Sequence, residues 1–302
     1  MYQDFYRLKE KPFEVTPDPR FLYLSETHQE ALARLIYGVN ERKGFLLLTG
    51  DVGTGKTTLL RALNRRLDSS TRRISITNPR LSVNDLYREL YLALGFRGFY
   101  GSKVKFLMDL QGVLKQIVVT GQNVLLIIDE AQSLPSRLLE EIRLLTNLET
   151  PTQKLLNVFL VGQPELRQKL NGFGMRALSQ RISIQYDIKP LNEKDTLAYV
   201  RSRLLVAGAY NPNLFTRKAL KLIHQYSRGY PRVINILCDN ALISGFVKGA
   251  PTIGREVIRE CAQDMSIYPN NGDTSQQYFW TPASLCHRND GRRVSRWFSR
   301  WY

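Results

Sequence analysis

Eight consecutive residues constrain this chain more than any others: positions 50–57 read Gly-Asp-Val-Gly-Thr-Gly-Lys-Thr. They match the pattern G-x-x-x-x-G-K-[ST] at every fixed position. Gly53 and Gly55 allow successive backbone N–H groups to turn inward around an anion, because neither residue carries a Cβ that would obstruct it. An apolar run precedes the motif and a helix-like segment follows it, so the positive end of a helix dipole points at the same place. These features predict a phosphate-binding loop and argue against an ordinary glycine turn that happens to carry a lysine.

This loop supplies the candidate ligands of a bound nucleotide. Lys56 is predicted to place its charge between a β- and a γ-phosphate, and the Thr57 hydroxyl is predicted to coordinate Mg²⁺. The full set of candidate nucleotide-binding residues comprises Gly50, Asp51, Val52, Gly53, Thr54, Gly55, Lys56, Thr57, Thr58 and, from a later segment, Arg232.

A second motif brings two carboxylates to the end of another apolar run, in 124–130, which reads Val-Leu-Leu-Ile-Ile-Asp-Glu. Ligands of open α/β sheets bind at the carboxyl ends of the strands, so both side chains are expected at the phosphate site. Asp129 is predicted to hold Mg²⁺, directly or through water, and Glu130 is predicted to be the general base that polarises the attacking water. The alternative is an acidic pair that merely ends a strand, but the phosphate loop favours nucleotide hydrolysis.

Gln163, Arg181 and Arg232 join Lys56 and Glu130 as candidate catalytic residues, and Arg176 is the alternative to Arg181. Gln163 follows the apolar run 155–161 and is predicted to position the water, unless it only caps the next helix. Phosphoryl transfer also requires positive charge near the γ-phosphate. Arg181, just before the edge strand, is predicted to act on a neighbouring subunit's site, with Arg176 as the second candidate for that role. Arg232, in a Gly-x-Pro-Arg segment, is predicted to reach back over the nucleotide from a helical region.

Strand-like and helix-like segments alternate through the first two thirds of the chain. Predicted strands lie at 45–49, 73–77, 123–128, 155–161 and 182–188, the last as an edge strand, and predicted helices at 26–39, 57–67, 82–94, 103–119 and 136–148. Such alternation predicts an α/β fold with a parallel sheet covered on both faces, a three-layer α/β/α arrangement. After position 190 the strands stop, and four amphipathic helices follow at 193–206, 216–227, 233–247 and 252–265.

The predicted organisation therefore has four parts. They are a wrapped N-terminal segment with one helix (1–42), a P-loop ATPase core (43–190), a small all-helical lid domain (191–268) and a basic, aromatic tail without predicted order (269–302).

Composition sets the outer limits. The 302 residues suit about two domains, and 43% hydrophobic residues exclude wholesale disorder. No apolar stretch reaches the ~18 residues that a spanning helix needs, and the N-terminus lacks the apolar region of a signal peptide. Three well-separated cysteines argue against a disulfide framework and fit a reducing, cytoplasmic setting. A net charge of +16 leaves two interpretations open: attraction to a polyanion, or basic residues spread over a solvated surface.

The order of these motifs resembles that of an AAA+ ATPase, and more narrowly the ExeA (general secretion pathway protein A) family, over about residues 1–266. The residues that carry the narrower resemblance are Phe5-Tyr6-x-Leu8, Phe13, Thr16-Pro17-Asp18-Pro19-x-Phe21, His28-x2-Ala31-Leu32, Asn78-Pro79-x-Leu81-Ser82, Asp129-Glu130-Ala131-Gln132 and Gly162-Gln163-Pro164-Glu165-Leu166. The resemblance implies ATP and Mg²⁺ as cofactors and assembly into a homo-oligomeric ring or filament. It also implies that Phe13, Pro19 and His28 help to enclose the adenine.

The same resemblance implies a protein partner in bacterial secretion or envelope machinery, such as pilus or polysaccharide export. ExeA-type proteins often continue into a transmembrane helix and a peptidoglycan-binding domain, which this sequence does not contain. Similar ATPases regulate transposition and bind DNA, so a DNA-binding ATPase that selects transposition targets is the alternative function. The expected location is the cytoplasm, with a peripheral position at the inner membrane as a further expectation.

Two basic segments bear on that choice. The first comprises Arg61, Arg65, Arg66, Arg72 and Arg73, which form either a surface for DNA or a solvated face. The second is the tail at 292–302, where a helix would gather arginines on one stripe and aromatic residues on another. That pattern suits contact with a membrane surface or a partner, although so short a helix is marginal alone and an unstructured tail is the alternative.

Overall fold

A five-stranded parallel sheet forms the centre of the fold. The computed structural model describes residues 1–14, 18–76, 81–97 and 101–268. The strands are β1 (Phe45–Gly50), β2 (Thr71–Ile76), β3 (Asn123–Ile128), β4 (Asn157–Gly162) and β5 (Ile182–Ile188). Their order in the sheet is β2-β3-β4-β1-β5, and every pair is parallel. β5 is therefore an edge strand, as its alternating sequence predicted.

The register brings three strand ends together. Leu48 of β1 lies opposite Val161 of β4, and Ile128 of β3 lies opposite Leu160 of β4. The carboxyl ends of β1, β4 and β3 are consequently neighbours at one edge of the sheet. The residues that follow them are those of the phosphate loop, Gln163 and Asp129, respectively.

Twelve α-helices occur in the described residues. They are α1 (Tyr2–Phe5), α2 (Glu26–Asn40), α3 (Lys56–Arg66), α4 (Val83–Ala93), α5 (Lys103–Val119), α6 (Ser136–Leu145), α7 (Pro164–Leu170), α8 (Arg176–Ser179), α9 (Glu193–Val206), α10 (Arg217–Ser227), α11 (Pro231–Val247) and α12 (Arg255–Asp264). Short 3-10 helices lie at Pro19–Phe21 and Ala131–Ser133. The predicted start of α4 is confirmed, because Ser82 and Asp85 form a reciprocal capping box.

Alternate residues of the central strands face opposite layers of helices. Leu47, Leu126 and Leu160 belong to a cluster with α4, α5 and α6. Leu48 and Phe159 belong to a second cluster with α2 and α3. Both faces of the sheet are thus covered, which explains why the strands read as continuous apolar runs. The predicted α/β/α fold is confirmed.

A third cluster of buried residues joins the N-terminus to the helices at the end of the described chain. Tyr2, Tyr6 and Phe13 pack with residues of α9 to α12. Phe13 also contacts Phe215, between α9 and α10, with 5.9 Å between the ring centroids. Residues 1–267 form one compact unit. We call α9 to α12 the helical lid.

Several sequence-based expectations concern residues outside the described ranges. The predicted tail (269–302) and Cys286 lie there, whereas Cys238 and Cys261 are buried, as small core residues would be. No helix in the described part of the chain is long and apolar enough to cross a bilayer.

Candidate functional site

The loop between β1 and α3 has the backbone that its glycines predicted. Gly53 has φ 83° and Gly55 has φ 102°, both in the left-handed region. Space is also limited: a Cβ at Gly55 would lie 3.2 Å from His28 Nε2, and one at Gly53 would lie 3.2 Å from Arg232 Cβ. Thr54 is buried, and its Oγ1 donates to the Asp51 carbonyl at 2.8 Å. The loop is therefore packed from the side of α2 and from the helical lid.

Lys56 is the first residue of α3, and its side chain turns back into this loop. Its side chain is 7% exposed, and Nζ donates to the carbonyls of Gly50 at 2.8 Å and Asp51 at 3.0 Å. Burial lowers the pKa of Lys56, and the nearby carboxylates of Glu130 and Asp129 oppose this effect. The ammonium and the two carboxylates therefore lie close enough to influence one another electrostatically.

Asp129 and Glu130 follow directly after β3. Burial raises the pKa of Asp129, and the neighbouring Glu130 carboxylate adds to this, whereas a hydrogen bond from the Glu130 N–H and the charge of Lys56 oppose it. That hydrogen bond joins Glu130 N to Asp129 Oδ1 at 2.9 Å. Glu130 has φ 53°, in the left-handed region, and is the N-cap of the 3-10 helix Ala131–Ser133. Its carboxylate is turned toward the end of β4.

A glutamine that sequence reasoning did not assign to the site connects these strand ends. Gln132 Nε2 donates to Glu130 Oε2 at 2.6 Å, and Gln132 Oε1 accepts from Gln163 N at 3.1 Å. Gln163 Nε2 lies 3.4 Å from the same Glu130 oxygen. Gln163 occupies the N-cap position of α7, but its side chain makes no capping hydrogen bond. The structure therefore brings Gln163 to Glu130. In the sequence, the one indication that Gln132 belongs to the site is its position in the Asp-Glu-Ala-Gln segment.

The helical lid reaches the loop through the start of α11. Arg232 is the second residue of α11, and its Cβ lies beside Gly53. Tyr230, which sequence reasoning also missed, donates from its hydroxyl to Asp51 Oδ2 at 2.7 Å. Burial and this hydrogen bond raise the pKa of Tyr230 to about 12. The phenol therefore remains a donor through the neutral pH range. The Gly-Tyr-Pro-Arg segment is thus bonded to the phosphate loop through Tyr230, and Arg232 starts beside Gly53.

Arg181 is placed elsewhere. It precedes β5, whose first residue, Ile182, pairs with Phe45 at the start of β1, whereas the loop follows the other end of β1. The guanidinium donates to the side chain of Asn147, and Nη1 lies 3.4 Å from Thr146 Oγ1. Arg176 is exposed at the start of α8. The structure does not bring either arginine to this chain's own loop.

The three residues suggested as an adenine enclosure occupy different environments. Phe13 is 1% exposed within the lid cluster and presents no free face, which argues against a stacking role. Pro19 begins the first 3-10 helix and is partly exposed. His28 is buried beneath the loop, where Nε2 lies 3.1 Å from the Thr54 carbonyl. Of the three, the structure brings His28 to the loop backbone.

The remaining predicted ligands are consistent with a metal held mainly by a nucleotide. Thr57 is exposed on the first turn of α3, and Asp129 supplies a partly buried carboxylate at the adjacent strand end. Oxygen donors of this kind suit Mg²⁺, which binds through one or two protein side chains plus substrate phosphates. A site of three or more His, Cys, Asp or Glu side chains does not occur in the described ranges, and this mode of binding does not need one. Val52 is exposed and Thr58 partly exposed beside them.

The five arginines near α3 are all exposed. Arg73 donates to the Asn64 carbonyl, and Arg72 Nε donates to Gln122 Oε1 at 3.2 Å. These two arginine side chains of the basic surface are therefore already hydrogen-bonded to groups of the same chain.

Residues 39–170 match the family described as an AAA domain. General secretion pathway protein A of Aeromonas hydrophila is 45% identical over 273 residues, which cover 90% of this chain and 50% of that protein. The chain thus spans half the length of this relative.

Solved structures share the fold at low sequence identity. Cdc6p of Pyrobaculum aerophilum has a TM-score of 0.61 at 17% identity, covering 82% of this chain and 71% of that one. ORC2 of Aeropyrum pernix, in ADPNP-ADP complexes, has a TM-score of 0.59 at 16% identity, and the match covers 85% of this chain and 72% of that one. Drosophila ORC bound to DNA has a TM-score of 0.61 at 18% identity, and the match covers 88% of this chain and 66% of that one. Together with the glycine loop and the paired carboxylates, these matches confirm the predicted resemblance: residues 39–170 form an AAA domain, the fold is that of the AAA+ P-loop proteins, and the chain is similar to general secretion pathway protein A over 273 residues.

Proposed function

We propose that this protein binds ATP with Mg²⁺ and hydrolyses it to ADP and phosphate. One observation carries the proposal: Lys56, Glu130 and Gln163 meet at adjacent strand ends, under a helical lid that brings Arg232 to the loop. The AAA domain match over residues 39–170 includes Lys56, Glu130 and Gln163. ATP rather than GTP follows from the family resemblance.

Each group has a task that suits its position. The loop N–H groups and Lys56 bind the phosphates, and Glu130 takes the proton of the attacking water. Gln163 orients that water, and Arg232 supplies positive charge from the lid. Mg²⁺, held through Thr57 and Asp129, would neutralise charge on the phosphate oxygens when bound.

Binding and turnover can be separated with two variants. We expect Lys56→Ala to lose binding of a fluorescent ATP analogue with Mg²⁺, whereas Glu130→Gln retains binding and loses turnover by about 100-fold or more, since it removes the general base. Lys194→Ala, which removes an exposed charge in the lid, is the matched control and should behave as wild type. The proposal fails if the wild-type protein does not bind the analogue, or if Lys56→Ala binds it equally well.

We propose that the nucleotide state controls assembly with partners, as a homo-oligomer and with a protein of a secretion or envelope system. The 45% identity to general secretion pathway protein A supports this pathway. Co-sedimentation with anionic vesicles that is lost on deletion of residues 288–302 would support a peripheral membrane contact. If Glu130→Gln abolishes turnover but keeps partner function intact, the protein is instead a nucleotide-gated scaffold.

DNA binding in transposition is the alternative, and two observations favour it. A protein of similar fold was solved bound to DNA, and five exposed arginines lie on and near α3. This function requires DNA binding that depends on ATP and weakens steeply with salt, because each neutralised phosphate releases counterions. Filter binding across a salt series, with and without ATP, distinguishes it from the secretion role.

A further inference from the structure

Gln132 is the one side chain described here that bonds to both Glu130 and the backbone of Gln163. It stands in the 3-10 helix after β3, and its amide spans the gap to the end of β4. Glu130 and Gln163 belong to different strands, so their relative position depends on whatever joins those strand ends.

The direction of the Gln132 amide is fixed by its partners. The backbone N–H of Gln163 can only donate, so the amide oxygen must face it, and the NH₂ group must then face Glu130. Gln132 and Gln163 both direct Nε2 at Glu130 Oε2, at 2.6 and 3.4 Å, and Oε1 accepts neither bond. The arrangement holds one carboxylate oxygen toward β4 and leaves the other outside these two contacts.

The end of β4 is built to admit this amide. A Cβ at Gly162 would lie 2.8 Å from Gln132 Oε1 and 2.8 Å from Leu166 Cδ2. Gly162 has no left-handed φ, so space rather than backbone conformation accounts for the glycine. Lys169 also approaches from α7, with Nζ 3.3 Å from the Gln132 carbonyl.

We propose that Gln132 is a positioning residue for ATP hydrolysis, which fixes the Glu130 carboxylate and ties it to Gln163 so that the base and the water-orienting group keep one geometry. The inference rests on the proposed ATPase function. It predicts that the loss of the Gln132 amide lowers kcat and leaves nucleotide binding intact, because the loop and Lys56 are untouched.

Gln132→Ala tests this directly. We expect kcat to fall about 10- to 100-fold, the range expected when a catalytic group is misplaced, while the Kd for the fluorescent ATP analogue changes less than about twofold. Gly162→Ala should act in the same direction, because the added Cβ displaces the same amide oxygen. Gln168→Ala, an exposed glutamine of α7, is the matched control and should keep wild-type kcat.

Gln132→Glu provides a readout that loss of folding would not give. The introduced carboxyl keeps the acceptor for the Gln163 N–H but places a second carboxyl group against Glu130, at a contact that measures 2.6 Å in the wild type. The pair then repels when both groups are ionised at higher pH and shares a proton at lower pH. We expect its kcat to recover toward lower pH, where the introduced carboxyl is protonated and donates again. The charged groups around the pair, Lys56, Asp129, Glu165 and Lys169, are the same in every variant.

The outcomes separate this inference from the proposed function. If the wild-type protein hydrolyses ATP and Gln132→Ala retains its kcat, the positioning role is overturned and the ATPase function stands. A Gln132→Glu variant whose kcat has the pH profile of Gln132→Ala also overturns it. If the wild-type protein does not hydrolyse ATP, the proposed function fails first. Thermal unfolding of each variant identifies any that has lost its fold.

Discussion

The backbone of the phosphate loop is supported by a buried histidine. His28 is 4% exposed; Nε2 lies 3.1 Å from the Thr54 carbonyl and Nδ1 lies 2.6 Å from Ser25 Oγ. A carbonyl only accepts, so Nε2 carries the proton and Nδ1 accepts from the serine hydroxyl. Burial lowers the pKa of His28 below its ordinary value of 6.5. Both nitrogens are therefore satisfied by the neutral ring.

Stability should consequently fall with falling pH. The folded-state pKa of His28 lies below its unfolded value, so the unfolded chain binds more protons as pH drops through 6.5, and folding weakens. We expect the thermal unfolding midpoint to decrease less between about pH 8 and about pH 5.5 in His28→Gln than in wild type. Burial lowers the pKa of His224 as well, so His224 also contributes to the pH dependence of stability. His224→Gln is the control that measures the contribution of His224. Equal pH dependence in wild type and His28→Gln would contradict this role.

Residue types alone predicted much of the site but not its supports. The loop, Asp129 and Glu130 were predicted because each belongs to a motif of consecutive residues that follows an apolar strand. Gln132 and Tyr230 were missed, since their roles depend on partners that folding brings from other segments.

At the level of elements, the turn between α10 and α11 determines where the lid meets the loop. Gly229 has φ 77°, and a Cβ there would lie 1.9 Å from the Leu191 carbonyl oxygen. The Leu191 N–H in turn donates to the Gly229 carbonyl at 2.9 Å. This close backbone approach leads directly into Tyr230 and Arg232. The lid contact with the loop therefore depends on a glycine.

Gly229→Ala should displace both contact residues. We expect a loss of stability greater than the ~1–2 kcal/mol of left-handed strain alone, together with weaker binding of the ATP analogue. Gly249→Ala is a matched control, because its φ of 64° gives comparable strain but its Cβ would meet nothing within 4 Å. Chemical denaturation and nucleotide titration of the two variants provide the comparison. If Gly229→Ala is no worse than Gly249→Ala, the close approach is unimportant.

The N-terminal segment is held to the lid by a buried arginine of α9. Arg203 is 7% exposed and donates to the carbonyls of Pro12 and Glu14 and to the Tyr199 hydroxyl. Its guanidinium also lies 4.7 Å from the ring centroid of Phe21. We expect Arg203→Met to destabilise the fold by ~1–3 kcal/mol, since the carbonyl of the buried Pro12 loses its donor.

Limited proteolysis measures the effect at the segment itself. Cleavage within residues 1–24 should accelerate in Arg203→Met, while Arg201→Met, an exposed arginine of the same helix, should be cleaved as slowly as wild type. Equal cleavage of the two variants would show that other contacts hold the segment.

The long elements were predictable because their periodicity is strong. The bounds 103–119, 123–128, 182–188 and 193–206 agree with the structure. α12 begins three residues later than predicted, because Ile253 pairs with Phe215 in an isolated bridge. The four-residue helices α1 and α8 were not predicted, because one turn carries no periodic signal. The order of strands also could not be derived, since it depends on contacts between distant segments.

At the level of the whole molecule, the position of Arg181 indicates what a single copy lacks. The start of β5 pairs with the start of β1, and the loop lies beyond the other end of β1, five residues or ~17 Å along the strand. An arginine held there by Asn147 cannot serve its own loop. If Arg181 completes a phosphate site, that site belongs to a second copy, as the proposed homo-oligomer requires.

Mixing two inactive variants tests this arrangement. We expect Lys56→Ala and Arg181→Ala each to lose ATP turnover, since an arginine supplied in trans contributes ~10³- to 10⁵-fold. An equal mixture should recover up to about a quarter of wild-type turnover, because random assembly through a heterologous interface pairs an intact loop with an intact arginine at one interface in four. Arg176→Ala is the control for the second candidate arginine. We expect this variant to retain ATP turnover on its own, without mixing. Thermal unfolding must show that Arg181→Ala keeps its fold without the Asn147 contact. If both variants are folded and the mixture remains inactive, Arg181 does not act across subunits. Another arginine, or no arginine, would then supply positive charge to the neighbouring site.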